Sequence, residues 1–138
     1  MTESDRIALS ASRLDKAYQM LESARLLLEH DDYASACNRA YYSVFHAMRA
    51  VLALDEIDDH KHSHLISVFR KEYLKNGILD RTLSDIIGSA FEVRNSSDYE
   101  DFWVIAKADA GEQVENAGVF FRAIEAYVRT RGVTRSKN

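Results

Sequence analysis

Apolar residues recur at helical intervals along most of the chain. Ile7, Leu14, Leu21 and Leu28 fall seven apart, and Ala17 and Ala24 lie between them. This spacing predicts a helix over about Asp5–Glu29 with a narrow, coiled-coil-like seam. Arg13, Lys16, Glu22 and Arg25 fall on its other side and read as a solvated face. His30-Asp31-Asp32 breaks the pattern, and an aspartate there suits the N-cap of a new helix, because its carboxylate accepts free N–H groups. The second helix is predicted over about Tyr33–Leu54. Cys37, Ala40, Tyr41, Val44, Phe45, Met48, Val51 and Leu52 give it an apolar surface broad enough to touch several neighbours. It also carries a polar stripe: Arg39, Ser43 and His46 lie within about 60° of arc, flanked by Tyr42 and Arg49.

Residues Asp55 to His62 read as a polar, acidic loop. A third helix, around Ser63–Lys75, places Leu65, Val68, Phe69 and Tyr73 in the core. Asn76-Gly77 suits its end, since glycine accepts the left-handed conformation. A fourth helix starts near Asp80, uses Leu83, Ile86, Ile87, Ala90 and Phe91, and closes at Asn95-Ser96-Ser97-Asp98. Tyr99 to Ala106 is open between an extended segment and the first turns of a fifth helix. From about Lys107 to Arg131, Ala110, Val114, Ala117, Phe121, Ile124 and Val128 repeat at helical spacing, and Gly132 ends the run. Short loops between five such helices predict an all-α, antiparallel up-and-down bundle. It forms a single domain over residues 1–138, with ends fraying at about 1–4 and 133–138.

Composition narrows the class further. The chain has no proline and five glycines in 138 residues. Sandwiches and barrels draw on both residues for their turns, so an all-β fold is excluded. The length suffices for a core without staples: about 7,000 Å² should remain exposed after folding. Cys37 is the only cysteine, so neither a disulfide partner nor a cysteine-based zinc site is expected, and its apolar neighbours make it a core thiol. No apolar run reaches the length of a membrane span, and the polar N-terminus lacks a signal peptide's apolar stretch. A cytoplasmic protein with no membrane partner is therefore expected. The net charge of −4 argues against wholesale coating of DNA but leaves room for a local basic pocket.

Arg94 is the most informative position. It lies seven residues after Ile87 and three after Phe91, which puts it on the apolar stripe of its helix. A guanidinium there needs partners. Either it pairs with a neighbouring acid such as Asp98 or Asp101, or its fork faces a cleft and holds a phosphate. Asn95, Asp98 and Tyr99 follow at once and gather at the helix end, either as capping groups or around a ligand. Arg39, His46 and Arg49 on the second helix can add positive potential to the same cleft. His60-Lys61-His62-Ser63-His64 superficially resembles a metal tract, but no carboxylate stands at metalloenzyme spacing, so it reads as a solvated turn with no metal. Tyr99, Phe102 and Trp103 can pack in a core, form a dimer contact or stack on a base. Gly-rich phosphate loops, GxSxG and CxxC are all absent, and no cofactor is expected.

The segment Tyr33-Ala34-Ser35-Ala36-Cys37-Asn38-Arg39-Ala40-Tyr41-Tyr42-Ser43-Val44-Phe45-His46 resembles the second-helix signature of HEPN domains (higher eukaryotes and prokaryotes nucleotide-binding). Lys61-His62-Ser63, Gly77-Ile78-Leu79 and Arg94-Asn95-Ser96-Ser97-Asp98-Tyr99 resemble the same group, and the likeness spans roughly Leu14 to Tyr127. It implies an all-α bundle that forms a homodimer. It also implies a minimal nucleotidyltransferase as partner in toxin–antitoxin-like pairs. Many such proteins are metal-independent ribonucleases with an Arg followed, after four to six residues, by His. Arg94 and Asn95 match the first half of that motif. Positions 99, 100 and 101 are Tyr, Glu and Asp, so the second half departs from it. Tyrosine ordinarily titrates near 10, so Tyr99 makes a poor base at neutral pH, where His serves well.

Three readings follow. The leading one is a nucleotide- or RNA-binding component of a nucleotidyltransferase-linked toxin–antitoxin-like module. In it Arg94 and Arg39 hold phosphate, Asn95 and Tyr99 orient the ligand, Asp98 pairs with a nearby cation and His46 adds to the cleft. The second is a metal-independent ribonuclease using Arg94 with Tyr99, or with a relocated histidine such as His46 or His62. The third is a scaffold that docks the nucleotidyltransferase without catalysis.

Overall fold

The computed structural model describes residues 1–99 and 104–136, without the side chains of residues 97–99. Thr2 starts the first helix, α1 (Glu3–Glu29), with a reciprocal capping box: its hydroxyl accepts the Asp5 N–H, and the Asp5 carboxylate accepts the Thr2 N–H. Asp32 caps α2 (Tyr33–Leu54) by accepting the Ser35 N–H at 3.3 Å. Both limits of α2 coincide with the sequence expectation. After the loop come α3 (His62–Phe69), prolonged by one π turn over Arg70–Leu74, then α4 (Leu83–Tyr99) and α5 (Lys107–Thr130). Every regular element among the described residues is helical.

The hairpin of α1 and α2 is the largest interface. Two buried hydroxyls set its register: Ser10 Oγ donates to the Ala50 carbonyl at 2.6 Å, and Ser43 Oγ donates to the Ala17 carbonyl at 2.8 Å. Positions rise along α1 as they fall along α2, which is the antiparallel sense. Ser43 therefore leaves the polar stripe that the sequence suggested. Its hydroxyl finds a carbonyl on α1, and small neighbours such as Ala17, Ala40 and Ala47 let the backbones approach.

Helix α5 meets α1 through Phe121 on Tyr18, Gly118 beside Arg25 and Gly132 beside Ile7. Its order opposes that of α1, so α5 runs parallel to α2 and covers it. Phe69 and Phe120 meet in the centre with ring centroids 6.1 Å apart, and both are fully buried. Cys37 is buried as well. Gly77 and Gly132, at φ +76° and +88°, end their helices in the left-handed region. The total accessible surface, 7614 Å², is close to the value expected for this length.

Three expectations change. The tail does not fray at Val133: that side chain is fully buried, Arg135 Nε bonds Glu125 Oε2 at 2.7 Å, and its guanidinium covers the Tyr18 ring. Arg13 is not a solvated residue, because it reaches across to Asp58 and to the Arg49 carbonyl. Helix α4 runs to Tyr99, one residue past the Asn95–Asp98 stretch expected to close it, since Ser, Asn and Asp are tolerated inside helices though they favour caps. The readings placed on Glu100, Asp101, Phe102 and Trp103 lie outside the described residues.

Candidate functional site

The site grows from one ridge of α2. Tyr41, Tyr42, Phe45, His46 and Arg49 sit at helical intervals that turn them towards α3 and α4. Tyr41 and Phe45 are buried; Tyr42, His46 and Arg49 are half-buried. Helix α4 brings Arg94 onto this ridge. Its Nη2 donates to Tyr42 Oη at 3.3 Å, and its Cζ lies 5.2 Å from the Tyr41 ring centroid and 5.7 Å from that of Tyr42. Two tyrosine faces thus support the guanidinium by cation–π attraction. Arg94 is half-buried, and two aromatic faces flank its position on the apolar stripe.

Helix α3 contributes His62 from its first turn. His62 Nδ1 is 2.9 Å from Tyr41 Oη, and its ring stacks on Phe45 with centroids 3.9 Å apart. The solvated turn expected around this histidine is therefore corrected: His60 and His64 are exposed, but His62 is packed. An imidazole has two faces that can stack and two nitrogens, so an aromatic shelf with a hydroxyl accommodates it. Burial lowers the His62 pKa, and the cations Arg94 and Arg49 lower it further. Burial pushes the Tyr41 phenol up to about 12. A neutral imidazole thus stands beside a fixed cation.

Around His46 the charge is denser. Its ring lies between Tyr42 and Phe45, and its Nδ1 is buried with no hydrogen-bond partner among the described residues. Burial, then Lys16, Arg49, His62 and Arg13, push its pKa down to about 4. The folded protein refuses a proton that the unfolded chain accepts from about pH 6.5 downward. Stability should therefore be full above that pH, fall as the pH drops towards 4, and change no further from this group below it. The loss by pH 5 should be on the order of 1–2 kcal/mol. Thermal melts of wild type and His46→Gln between pH 7 and pH 4.5 check this, and parallel pH dependence in the two proteins would refute it.

Arg49 and Arg13 clamp Asp58: Arg49 Nη2 reaches both carboxylate oxygens at 3.3 and 3.2 Å, and Arg13 Nη2 reaches Oδ2 at 3.2 Å. This clamp ties α1, α2 and the following loop together at the edge of the site. Sequence reasoning placed Arg49 beside the cleft but missed Arg13. The signal was its position in register with the C-terminal half of α2, which only the hairpin pairing reveals.

Arg39 lies one turn before Tyr42 on α2, is exposed, and bonds its neighbour Asn38 at 2.6 Å. Asn95 is half-buried beside Arg94. The side chains of Asp98 and Tyr99 lie outside the described residues. Among the described residues, no three His, Cys, Asp or Glu side chains converge as metal ligands.

Comparison with known proteins places this constellation. The chain matches the HEPN domain over residues 10–127, a span holding α2, His62 and Arg94 alike. The chain belongs to the HEPN family. It is 30% identical over 125 residues to a toxin candidate of Methanocaldococcus jannaschii, covering 91% of this chain and 85% of the relative. A UPF0332 protein of Thermotoga maritima is 29% identical over 113 residues, covering 82% of this chain and 86% of its own. A UPF0332 protein of Pyrococcus horikoshii is 44% identical over 61 residues, covering 44% and 43%. The chain is thus a HEPN-family protein with an all-helical fold among its described residues, and none of those helices is long and apolar enough to cross a membrane.

Proposed function

We propose that this HEPN protein binds the phosphate of a nucleotide or RNA at Arg94. On this reading it works in the cytoplasm as a homodimer, in a toxin–antitoxin-like module with a minimal nucleotidyltransferase. The Arg94 guanidinium on its two-tyrosine shelf supports the reading best. The rings position a charged fork, and that fork matches phosphate geometry. Arg39 adds a second cation further along α2, while Asn95 and Tyr99 orient the ligand and Asp98 pairs with a nearby cation. The test is binding of labelled single-stranded RNA and nucleotides in EDTA by wild type and Arg94→Ala. Equal affinity in both proteins removes the assignment.

A second reading has one observation in its favour: His62, held neutral, shares Tyr41 with Arg94. A neutral imidazole there accepts the proton of a ribose 2′-hydroxyl as that oxygen attacks phosphorus. The 5′-oxygen then leaves and takes a proton from water. RNA cleavage in EDTA that disappears in both Arg94→Ala and His62→Ala is the expected result of such a ribonuclease. Cleavage lost in Tyr99→Phe but kept in His62→Ala assigns the proton transfer to Tyr99 instead.

A further inference from the structure

From Arg39 to Leu54, every residue of α2 is buried except Arg39, Tyr42, His46 and Arg49. These four recur at intervals of three and four, so they form one row along the helix. A helix that otherwise belongs to the core thus shows solvent a single stripe. The stripe holds two arginines and two rings, and no acid.

The register of the α1–α2 hairpin lays a second row alongside the first. Arg13 Nη1 donates to the Arg49 carbonyl at 3.2 Å, and Lys16 stands near enough to His46 to help hold its imidazole neutral. Met20 and Ser23, both half-buried, continue the row towards Tyr42 and Arg39. Asp15, the acid next to Lys16, turns away and accepts the Ser136 N–H at 2.9 Å. Asp58 reaches the rows from the loop after α2, but two guanidiniums meet it there, so that end keeps one net positive charge. Lys16 is exposed and pairs with no acid among the described residues. Arg39 is exposed, and its bond to the neutral Asn38 amide leaves its charge uncompensated. A chain of net charge −4 therefore gathers positive charge on this one face.

The occupant that fits is a flexible polyanion. A second copy of the chain is disfavoured, because a two-fold contact would set this stripe against itself and bring like charges together. Arg39 and Arg49 stand about 15 Å apart along the axis, at about 1.5 Å per residue. That length matches about four stacked nucleotides at about 3.4 Å each, and it exceeds a mononucleotide. The stripe is one residue wide, so it follows one sugar–phosphate backbone rather than the two of a duplex. Tyr42 and His46 put rings between the cations, and only unpaired bases can pack on rings.

We propose that the α1–α2 face is a track for single-stranded RNA of about four nucleotides, leading past Arg94, with Lys16 and Arg39 holding phosphates on either side of the Tyr42 and His46 rings. The proposal rests on the reading that Arg94 holds a phosphate, and it adds Lys16 to the binding surface.

The test is fluorescence anisotropy of the full chain, in EDTA, with labelled uridine 5′-phosphate, an eight-nucleotide oligouridylate and a duplex RNA. The oligouridylate should bind at least about tenfold more tightly than the mononucleotide. Lys16→Glu should weaken it by about tenfold, the low end for a hydrogen bond to a charged group. The same substitution should lower the salt slope by about 0.7 or more and leave the mononucleotide unchanged. Lys75→Glu, at an exposed position beyond the π turn, should change neither. Both lysines are exposed, and circular dichroism verifies the fold. Oligouridylate affinity that is equal in wild type and Lys16→Glu, or that falls as far in Lys75→Glu, overturns the track; a loss in Arg94→Ala would then still uphold the phosphate reading. Binding unchanged by Arg94→Ala but weakened by Lys16→Glu removes the phosphate reading and keeps the track. Duplex bound as tightly as the single strand overturns the single-strand assignment. Octaglutamate that displaces the oligouridylate at equal concentration overturns RNA in favour of an acidic protein segment. No binding of any RNA overturns both readings.

Discussion

Arg94→Ala is expected to weaken binding of a short single-stranded RNA by about tenfold to a hundredfold, since hydrogen bonds to charged groups are worth about 1.5–3 kcal/mol. The loss should have an electrostatic signature. Removing one phosphate contact lowers the slope of log affinity against log salt by about 0.7 for a single strand. Arg94→Lys keeps the charge but not the fork, so it should recover the salt slope and only part of the affinity. The guanidinium also rests on Tyr41 and Tyr42. Its removal should therefore cost some stability, at most about 2 kcal/mol by the strength of cation–π pairs. Unfolding curves separate that loss from the loss of binding. Unchanged affinity and salt slope in a folded Arg94→Ala protein would show that Arg94 is structural.

The largest effect on stability is expected from Phe120→Ala, at about 3–5 kcal/mol. Phe120 is fully buried on α5 and packs on Phe69, the last residue of α3. Its loss removes the transfer free energy of the ring and leaves a cavity that the closely packed neighbours only partly fill. Domains of this size are commonly stable by about 5–15 kcal/mol, so about a fifth of the margin or more is at stake. Val119 is the adjoining control: it is 40% exposed, and Val119→Ala should stay within about 0.5 kcal/mol. Urea midpoints of the two variants decide the matter. Equal midpoints would mean that the centre of the bundle is not where Phe69 and Phe120 meet.

Much of the fold was legible because helices announce themselves locally. The limits of α2 are written in Asp32, whose carboxylate caps the helix, and in an apolar pattern that stops at Leu54. Gly77 and Gly132 marked two ends because only a residue without Cβ enters the left-handed region cheaply. The end of α4 lies one residue past Asn95, Ser96, Ser97 and Asp98, which are cap formers by propensity but can also continue a helix, since propensity is a weak prior inside a packed bundle.

The candidate site was less legible, for a different reason. Arg94 stood out because a charge on an apolar stripe conflicts with its surroundings, and such conflicts show in the sequence. His62 was one of two histidines offered for proton transfer, but its packing was not legible, because its neighbours His60, Lys61, Ser63 and His64 are exposed and a single packed residue leaves no periodic trace. Ser43 shared a stripe with Arg39 and His46, yet its short hydroxyl serves a carbonyl of α1. Arg13 looked solvated because its partners, Asp58 and the Arg49 carbonyl, lie far along the chain.

The sequence by itself determined that this protein is all-helical, where most of its helices run, that it resembles the HEPN family, and that Arg94 is its most telling charge. Each of these depends on spacing within about twenty residues, where a helix fixes geometry. The tertiary structure alone decided that α5 lies parallel to α2, that His62 joins Arg94 through Tyr41, and that Arg13 and Arg49 clamp Asp58 between α1, α2 and the following loop. Those are contacts between elements, set by how apolar faces pack, and no local period encodes them.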